Sequence, residues 1–211
     1  MKEIIDSATL YLGDCVDILP TIGHFDALVT DPPYGIGETR GDKRPRRKGI
    51  PAVHDNLGWD DEIAGEAIAL ARSLAKYQVI FGGNYYPLPP TKCWLVWNKL
   101  NSGDFADCEL AWTNLNKSVR KIDYLWNGMI RMEKHIPRTH PTQKPVGVMS
   151  FCLRQLPSDV DLVVDPFMGS GTTGVACIEN KKSFIGIERE EQYFYMACER
   201  IYESTRQHTL F

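Results

Sequence analysis

Short apolar runs alternate with segments of helical period along most of this chain. Strand-like runs are TLYLGD at 9–14, DALVTD at 26–31, QVIFGG at 78–83, CWLVWNK at 93–99, DLVVD at 161–165 and SFIGIE at 183–188. ADCELAWTN at 106–114 has the composition to pair with the run before it. Residues 60–77 carry Ile63, Ala67, Leu70, Ala71 and Leu74 on one helical face, behind an acidic start that suits a helix N-terminus. PVGVMSFCLRQLP opens on Pro145, which a first helical turn tolerates; GTTGVACIENKK and residues 192–206 read as two further helices. Strands alternating with helices predict an α/β protein built on a mostly parallel sheet. Two stretches fall outside this rhythm. Residues 35–57 are rich in glycine, proline and charge, and residues 116–139 give weak, mixed signals. Loops of that length without structure of their own are usually functional or mobile.

Composition adds bounds. A chain of 211 residues suffices for one sizeable domain, and the expectation is a single domain over residues 1–211. No apolar run approaches the roughly 20 residues of a membrane span. The start, MKEIIDSATL, lacks the layout of a signal peptide, so a cytoplasmic protein is expected, with no membrane partner. Cys15, Cys93, Cys108, Cys152, Cys177 and Cys198 are scattered without a close pair, which predicts reduced thiols and no metal site. The net charge of −3 argues against nucleic acid, but its distribution reverses that. RGDKRPRRK sets Arg40, Lys43, Arg44, Arg46, Arg47 and Lys48 against one acid, and a second basic region holds Arg120, Lys121, Arg131 and Arg138. Such clusters match a phosphate backbone, although a solvated loop is the plainer reading of any charge run.

The segment DLVVDPFMGSGTTGVACIENKKSFIGIERE has the order strand, glycine turn, helix, strand, acid. Glycines let backbone approach a ligand closely, and Glu188 follows Gly169 by 19 residues, the spacing at which an acid accepts ribose hydroxyls in nucleoside-binding folds. A phosphate-binding loop needs a Gly-Lys-Ser/Thr sequence, which SGTTG lacks. GSGTTG does satisfy the dinucleotide spacing, but Asp165 beside it would repel a pyrophosphate. An acid there suits a ligand carrying an ammonium or a sulfonium, which points to S-adenosyl-L-methionine.

The remaining puzzle is DPPYG. A strand that leaves the core and at once presents Asp31, Pro32, Pro33 and Tyr34 meets no requirement of packing or turn formation. Together, TDPPYG, HPTQKP at 140–145 and DPFMGSGTT at 165–173 resemble the amino-group DNA methyltransferases, with the motif order of their β class. The resemblance spans residues 10–200 apart from the two unassigned stretches. It implies a Rossmann-like, S-adenosylmethionine-dependent methyltransferase fold: a seven-stranded mixed sheet with flanking helices, circularly permuted so that the cofactor turn lies near the C-terminus. It implies cofactor contacts from Asp165, Phe167, Gly169, Ser170, Gly171, Thr172 and Glu188. Asp14 and the backbone of Cys15 would meet the adenine, Thr142 and Lys144 would close the methionine end, and Asp31 would border it. The Asp31 side chain and the Pro32 carbonyl would accept hydrogen bonds from an exocyclic amine, localising its lone pair for attack on the methyl group. Tyr34 would stack on a base taken out of duplex DNA. An Asp in the first position is usual for adenine N6 members and a Ser for cytosine N4 members, so adenine is expected. The alternatives are cytosine N4, a non-catalytic subunit of the same fold, and methylation of RNA or protein amides. Residues 35–57 and 116–139 are the candidate DNA-recognition elements, with Asn84 and Trp97 at the border of the base pocket or, the simpler reading, in the core. The resemblance also allows a homodimer and a companion restriction nuclease.

Overall fold

The computed structural model describes residues 1–34, 64–100, 106–127, 130–131 and 143–208. The elements are β1 (Lys2–Ile5), β2 (Ala8–Leu12), α1 (Cys15–Ile22), β3 (Phe25–Thr30), α2 (Gly65–Leu74), β4 (Ala75–Phe81), β5 (Trp94–Asn98), β6 (Cys108–Thr113), β7 (Arg120–Asp123), β8 (Trp126–Asn127), β9 (Ile130–Arg131), α3 (Val146–Gln155), β10 (Leu162–Asp165), α4 (Thr172–Glu179), β11 (Ser183–Glu188) and α5 (Glu191–His208).

Nine strands form one sheet in the order β1-β2-β11-β10-β3-β4-β6-β5-β7, and β8 and β9 make a separate hairpin. The five strands from β2 to β4 run parallel to one another, whereas β6 is antiparallel to both β4 and β5. The predicted mixed sheet is thus present, with two strands more than the seven expected. The additions are the edges: β1, folded back antiparallel on β2, and β7, parallel to β5.

Central strands here are buried on both faces, which is why β3 and β10 read as continuous apolar runs. Side chains alternate across the sheet. Ala27, Val29 and Val163 enter the core with Met149, Leu153, Ala176, Phe194 and Ile201, contributed by α3, α4 and α5. Leu28, Ile80 and Val164 enter the opposite core with Leu19, Ile68 and Ala71 of α1 and α2. Each large aliphatic side chain so buried contributes about 2 kcal/mol. No helix among the described residues is long and apolar enough to cross a membrane.

One sequence boundary moves, and one helix is additional. Residues 75–77, expected to end a helix, begin β4, because Ala75 and Tyr77 pair with Phe25 and Ala27. The helix α1 falls outside the expected elements although Cys15, Ile18, Leu19 and Ile22 recur at helical spacing; it has only eight residues and contains Pro20. It is nevertheless capped by Asp14, whose carboxylate accepts from the Val16 N–H at 2.8 Å.

Candidate active site

Adjacent parallel strands bring two distant segments to one edge of the sheet. β10 pairs with β3 through Val163–Ala27 and Val164–Leu28, so Asp165 and Asp31 emerge at neighbouring carboxyl ends. The Thr30 hydroxyl, one residue before Asp31, donates to Asp165 Oδ1 at 2.7 Å and ties the two corners together. In open α/β sheets this is where ligands collect. A cavity of about 570 Å³ opens there, lined by Asp14, Cys15, Asp31, Pro33, Lys144, Asp165, Phe167, Gly169, Ser170, Thr172 and Glu188 among others. The geometry on which the sequence reading depends, both corners on one cleft, is present.

Asp165 is buried, and its carboxylate anchors the glycine turn. Besides Thr30 it accepts from the Phe167 N–H at 3.1 Å and the Thr173 hydroxyl at 2.6 Å. Burial pushes its pKa up to about 6 against these hydrogen bonds. A folded-state pKa above the unfolded value of 3.8 means that the group favours folding most below pH 4, and that this contribution is lost as pH rises through about 6. The unfolding free energy of the wild type is therefore expected to exceed that of Asp165→Asn by more at pH 4 than at pH 7. Urea titrations at both values measure the difference.

The two glycines of the turn do different work. Gly169 sits at φ +50° and its N–H donates to Glu188 Oε2 at 2.9 Å, while the Glu190 N–H donates to Oε1 at 2.9 Å. Burial raises the Glu188 pKa and these N–H groups oppose it. Gly171 faces away from the cavity. It lies at φ +79° as the N-cap of α4, and a Cβ there would stand 2.9 Å from that of Ala197 on α5. Ser170 and Thr172 line the cavity, but their hydroxyls receive Arg200 Nη1 at 2.8 and 3.2 Å. Arg200 is a brace that no local sequence pattern announces, since it lies 30 residues from Ser170.

At the other corner, Asp31 is held by the chain's own donors. Tyr34 donates its hydroxyl to Asp31 Oδ1, and Lys144 Nζ lies 2.6 Å from Oδ2. Lys144, expected at the methionine end of a cofactor, also pairs with Glu109 Oε2 at 3.1 Å, and Glu109 in turn pairs with Lys99 at 2.6 Å. Burial disfavours the Lys144 ammonium, but Asp31, Glu109 and Tyr34 outweigh it and hold its pKa well above the usual value. Burial pushes Asp31 upward, with Lys144 opposing and Glu109 adding. The Tyr34 ring stacks on Tyr85 at 5.1 Å and lies against Gly82, where a Cβ would penetrate the ring. Pro32 is buried, and the Pro33 carbonyl accepts the Tyr86 hydroxyl.

Trp97 is a core residue, its indole N–H donating to the Tyr124 carbonyl at 2.8 Å. Asn84 departs from the simpler expectation of core packing: it is exposed, in the single helical turn Gly83–Tyr85. Arg120 and Lys121 are exposed on β7, where Lys121 pairs with Asp123 at 3.0 Å. The backbone of Arg131 lies in β9. Arg40, Lys43, Arg44, Arg46, Arg47, Lys48, Arg138 and Thr142 lie outside the described residues.

A twisted α/β sheet with a glycine turn, a strand-terminal acid and a second acid-bearing strand tip on one cleft is the architecture of a Rossmann-like methyltransferase domain. The DNA methylase family model for N6 and N4 methyltransferases matches residues 89–199, more than half of the chain. Type II methyltransferase M2.MboI of Moraxella bovis is 26% identical, over 93% of this chain and 88% of its own. Among solved structures, the M1.HpyAVI–SAM complex is similar at TM-score 0.60 and 24% identity, covering 92% of this chain and 98% of that one. The cytosine-N4-specific PvuII DNA methyltransferase is similar at TM-score 0.59 and 15% identity, covering 96% and 93%. The chain belongs to the amino-group DNA methyltransferase family.

Proposed function

We propose that the chain transfers a methyl group from S-adenosyl-L-methionine to the N6 amine of an adenine turned out of duplex DNA. The observation that carries this reading is the shared cleft, with Asp31 at one strand tip and the Asp165–Gly169 turn at the next. The cavity fits an adenosine-sized group: about 570 Å³ lies in the usual range for small-molecule sites, roughly 300–1,000 Å³. Its donor set also fits. Each Glu188 oxygen takes one backbone N–H and, as a carboxylate with about four acceptor sites, keeps capacity for ribose hydroxyls. Asp14 lies at the same end, Phe167 gives an apolar wall, and Gly169 leaves room for close approach. The bound donor supplies a methyl group activated by a sulfonium.

The chain's part is positioning and electrostatic stabilisation. An exocyclic amine is a poor nucleophile because its lone pair is delocalised into the ring. Accepting its hydrogens at the Asp31 carboxylate and the Pro32 carbonyl favours a pyramidal nitrogen, and Asp31 stabilises the positive charge that develops there until one of those hydrogens leaves to solvent as a proton. The two prolines limit how far that carbonyl can swing. Tyr34, backed by Tyr85, supplies the aromatic wall for the extruded base. The basic residues of 40–48 are assigned to phosphates, and the stretch that holds exposed Arg120 and Lys121 to base edges.

Adenine is preferred over cytosine because the motif opens on Asp31, and the resemblance associates Asp there with adenine N6 members and Ser with cytosine N4 members. The test uses whole-genome-amplified bacterial DNA, which contains every short site without methylation. After incubation with labelled S-adenosyl-L-methionine, enzymatic digestion and chromatography, the label is expected in N6-methyl-2′-deoxyadenosine. Label in N4-methyl-2′-deoxycytidine would replace the adenine assignment, and transfer to neither would end this reading.

A further inference from the structure

In this structure both oxygens of Asp31 are engaged, one by Tyr34 and one by Lys144. A target amine needs at least one of them. Lys144 is buried, its side chain 7% exposed, beside the Phe81 ring at 5.4 Å and the Tyr34 ring at 5.6 Å. An ammonium in such a place cannot lose its only anion without a large desolvation penalty. If Asp31 were its sole partner, the entering amine would have to strand a buried cation.

Glu109 removes that obstacle. It reaches the same place from β6, paired across the sheet with Trp97 of β5, and it has no neighbour in sequence among the motif residues. Its Oε1 is held by Lys99, whereas Oε2 stands 3.1 Å from Lys144 Nζ. Among the described residues, Oε2 is buried and receives no hydrogen bond of good geometry. An acceptor of fixed position and spare capacity therefore sits beside the ammonium that must let go of Asp31. The two carboxylates and two ammonium groups balance, so shifting Lys144 from one acid to the other leaves no net charge exposed to the apolar surroundings.

We propose that Glu109 is a positioning residue: it takes over the Lys144 ammonium as Asp31 turns to the target amine. The proposal rests on the methyl-transfer reading above. Among the described residues the groups that face Asp31 are Lys144, Tyr34 and Glu109, with Asp165 close enough to interact electrostatically. Glu109 and Lys144 act on the ionisation of Asp31 in opposite senses, since a like charge disfavours the carboxylate and an opposite charge favours it. Their removal therefore has opposite signatures.

The experiment measures kcat/KM for amplified DNA against pH in the wild type, Glu109→Gln, Glu109→Asp and Lys144→Met, with donor affinity by calorimetry. In Glu109→Gln the acid limb is expected to move to lower pH and in Lys144→Met to higher pH, each by about one unit. In Glu109→Gln, kcat is expected to fall about 10-fold because Lys144 stays on Asp31, donor affinity is expected to stay within about twofold, and Glu109→Asp is expected to restore much of the rate. An acid limb that stays in place in both Glu109→Gln and Lys144→Met, or Glu109→Gln turning over like the wild type, overturns the proposal. Should Glu109→Gln not fold, Glu109→Met, which also removes the charge, is read by the same limb and the same fall in kcat. A wild type without any transfer would instead remove the methyl-transfer reading itself, so the two failures are distinguishable.

Discussion

Asp31→Ala is expected to lower single-turnover methyl transfer by about 10²–10³-fold or more, with donor affinity nearly unchanged. The magnitude follows from removing a preorganised group aimed at charge that develops only in the transition state. The binding prediction follows from the layout: Glu188 and Gly169 hold each other through a 2.9 Å hydrogen bond that Asp31 does not touch. The link to the glycine turn runs from Thr30, not from Asp31, so the substitution leaves the 2.7 Å bond to Asp165 in place. Removing the carboxylate takes away the ion pair with Lys144 and the hydrogen bond from the Tyr34 hydroxyl, so a modest loss of thermal stability accompanies the loss of rate. Asp31→Asn separates the effects. It keeps one acceptor oxygen and the shape of the corner but gives up the charge, and its rate is expected to fall between wild type and Asp31→Ala. A rate for Asp31→Ala within a factor of ten of the wild type would exclude the carboxylate from the chemistry. Equal losses of rate and donor binding would make it a structural residue.

What could be read from the chain was local. A fully buried strand announces itself as an apolar run, and the runs containing β3, β10 and β11 are where the sequence puts them. The glycine turn and its acid are legible because their spacing is fixed by one strand-turn-helix-strand unit. Edges are less legible. β1 and β7 are largely exposed, so burial leaves little pattern in them. The helix α1 does carry the helical period, at Cys15, Ile18, Leu19 and Ile22, but over only eight residues with Pro20 inside, shorter than the window in which periodicity decides.

The site was half legible for the same reason. Asp31, Asp165 and Glu188 sit in recognisable motifs, but the partners that fix their behaviour do not. Glu109 reaches Asp31 through Lys144 across separations of 78 and 35 residues along the chain, and Arg200 reaches the glycine turn from a helix that looks ordinary in sequence. Motif spacing likewise treats Gly169 and Gly171 alike. Only the packing shows that one approaches the cavity and the other makes room for Ala197.

Glu188→Ala tests the other half of the cleft and is expected to weaken S-adenosyl-L-methionine binding by about 100-fold. Two losses combine. The carboxylate ceases to hold the Gly169 and Glu190 N–H groups, so the turn is no longer fixed at the distance a ligand requires. It also ceases to accept the ribose hydroxyls assigned to it above. Hydrogen bonds to a charged group contribute about 1.5–3 kcal/mol each, and a net loss near the equivalent of two at the lower bound is about 100-fold. Glu188→Gln retains one acceptor oxygen and is expected to lose about 10-fold. The pH dependence adds a second signature. Burial raises the Glu188 pKa against the N–H groups of Glu190, Gly169 and Arg189, so protonation on the acid side removes acceptor capacity and wild-type affinity falls there. Glu188→Ala has no such group and is expected to bind weakly but with a flatter dependence. Calorimetric titrations at pH 8 and pH 5 distinguish the curves. Arg200 still holds Ser170 and Thr172 in the variant, so the fold around α4 persists and the loss appears in binding before it appears in stability. An affinity equal to that of the wild type would move the ribose to another part of the cleft.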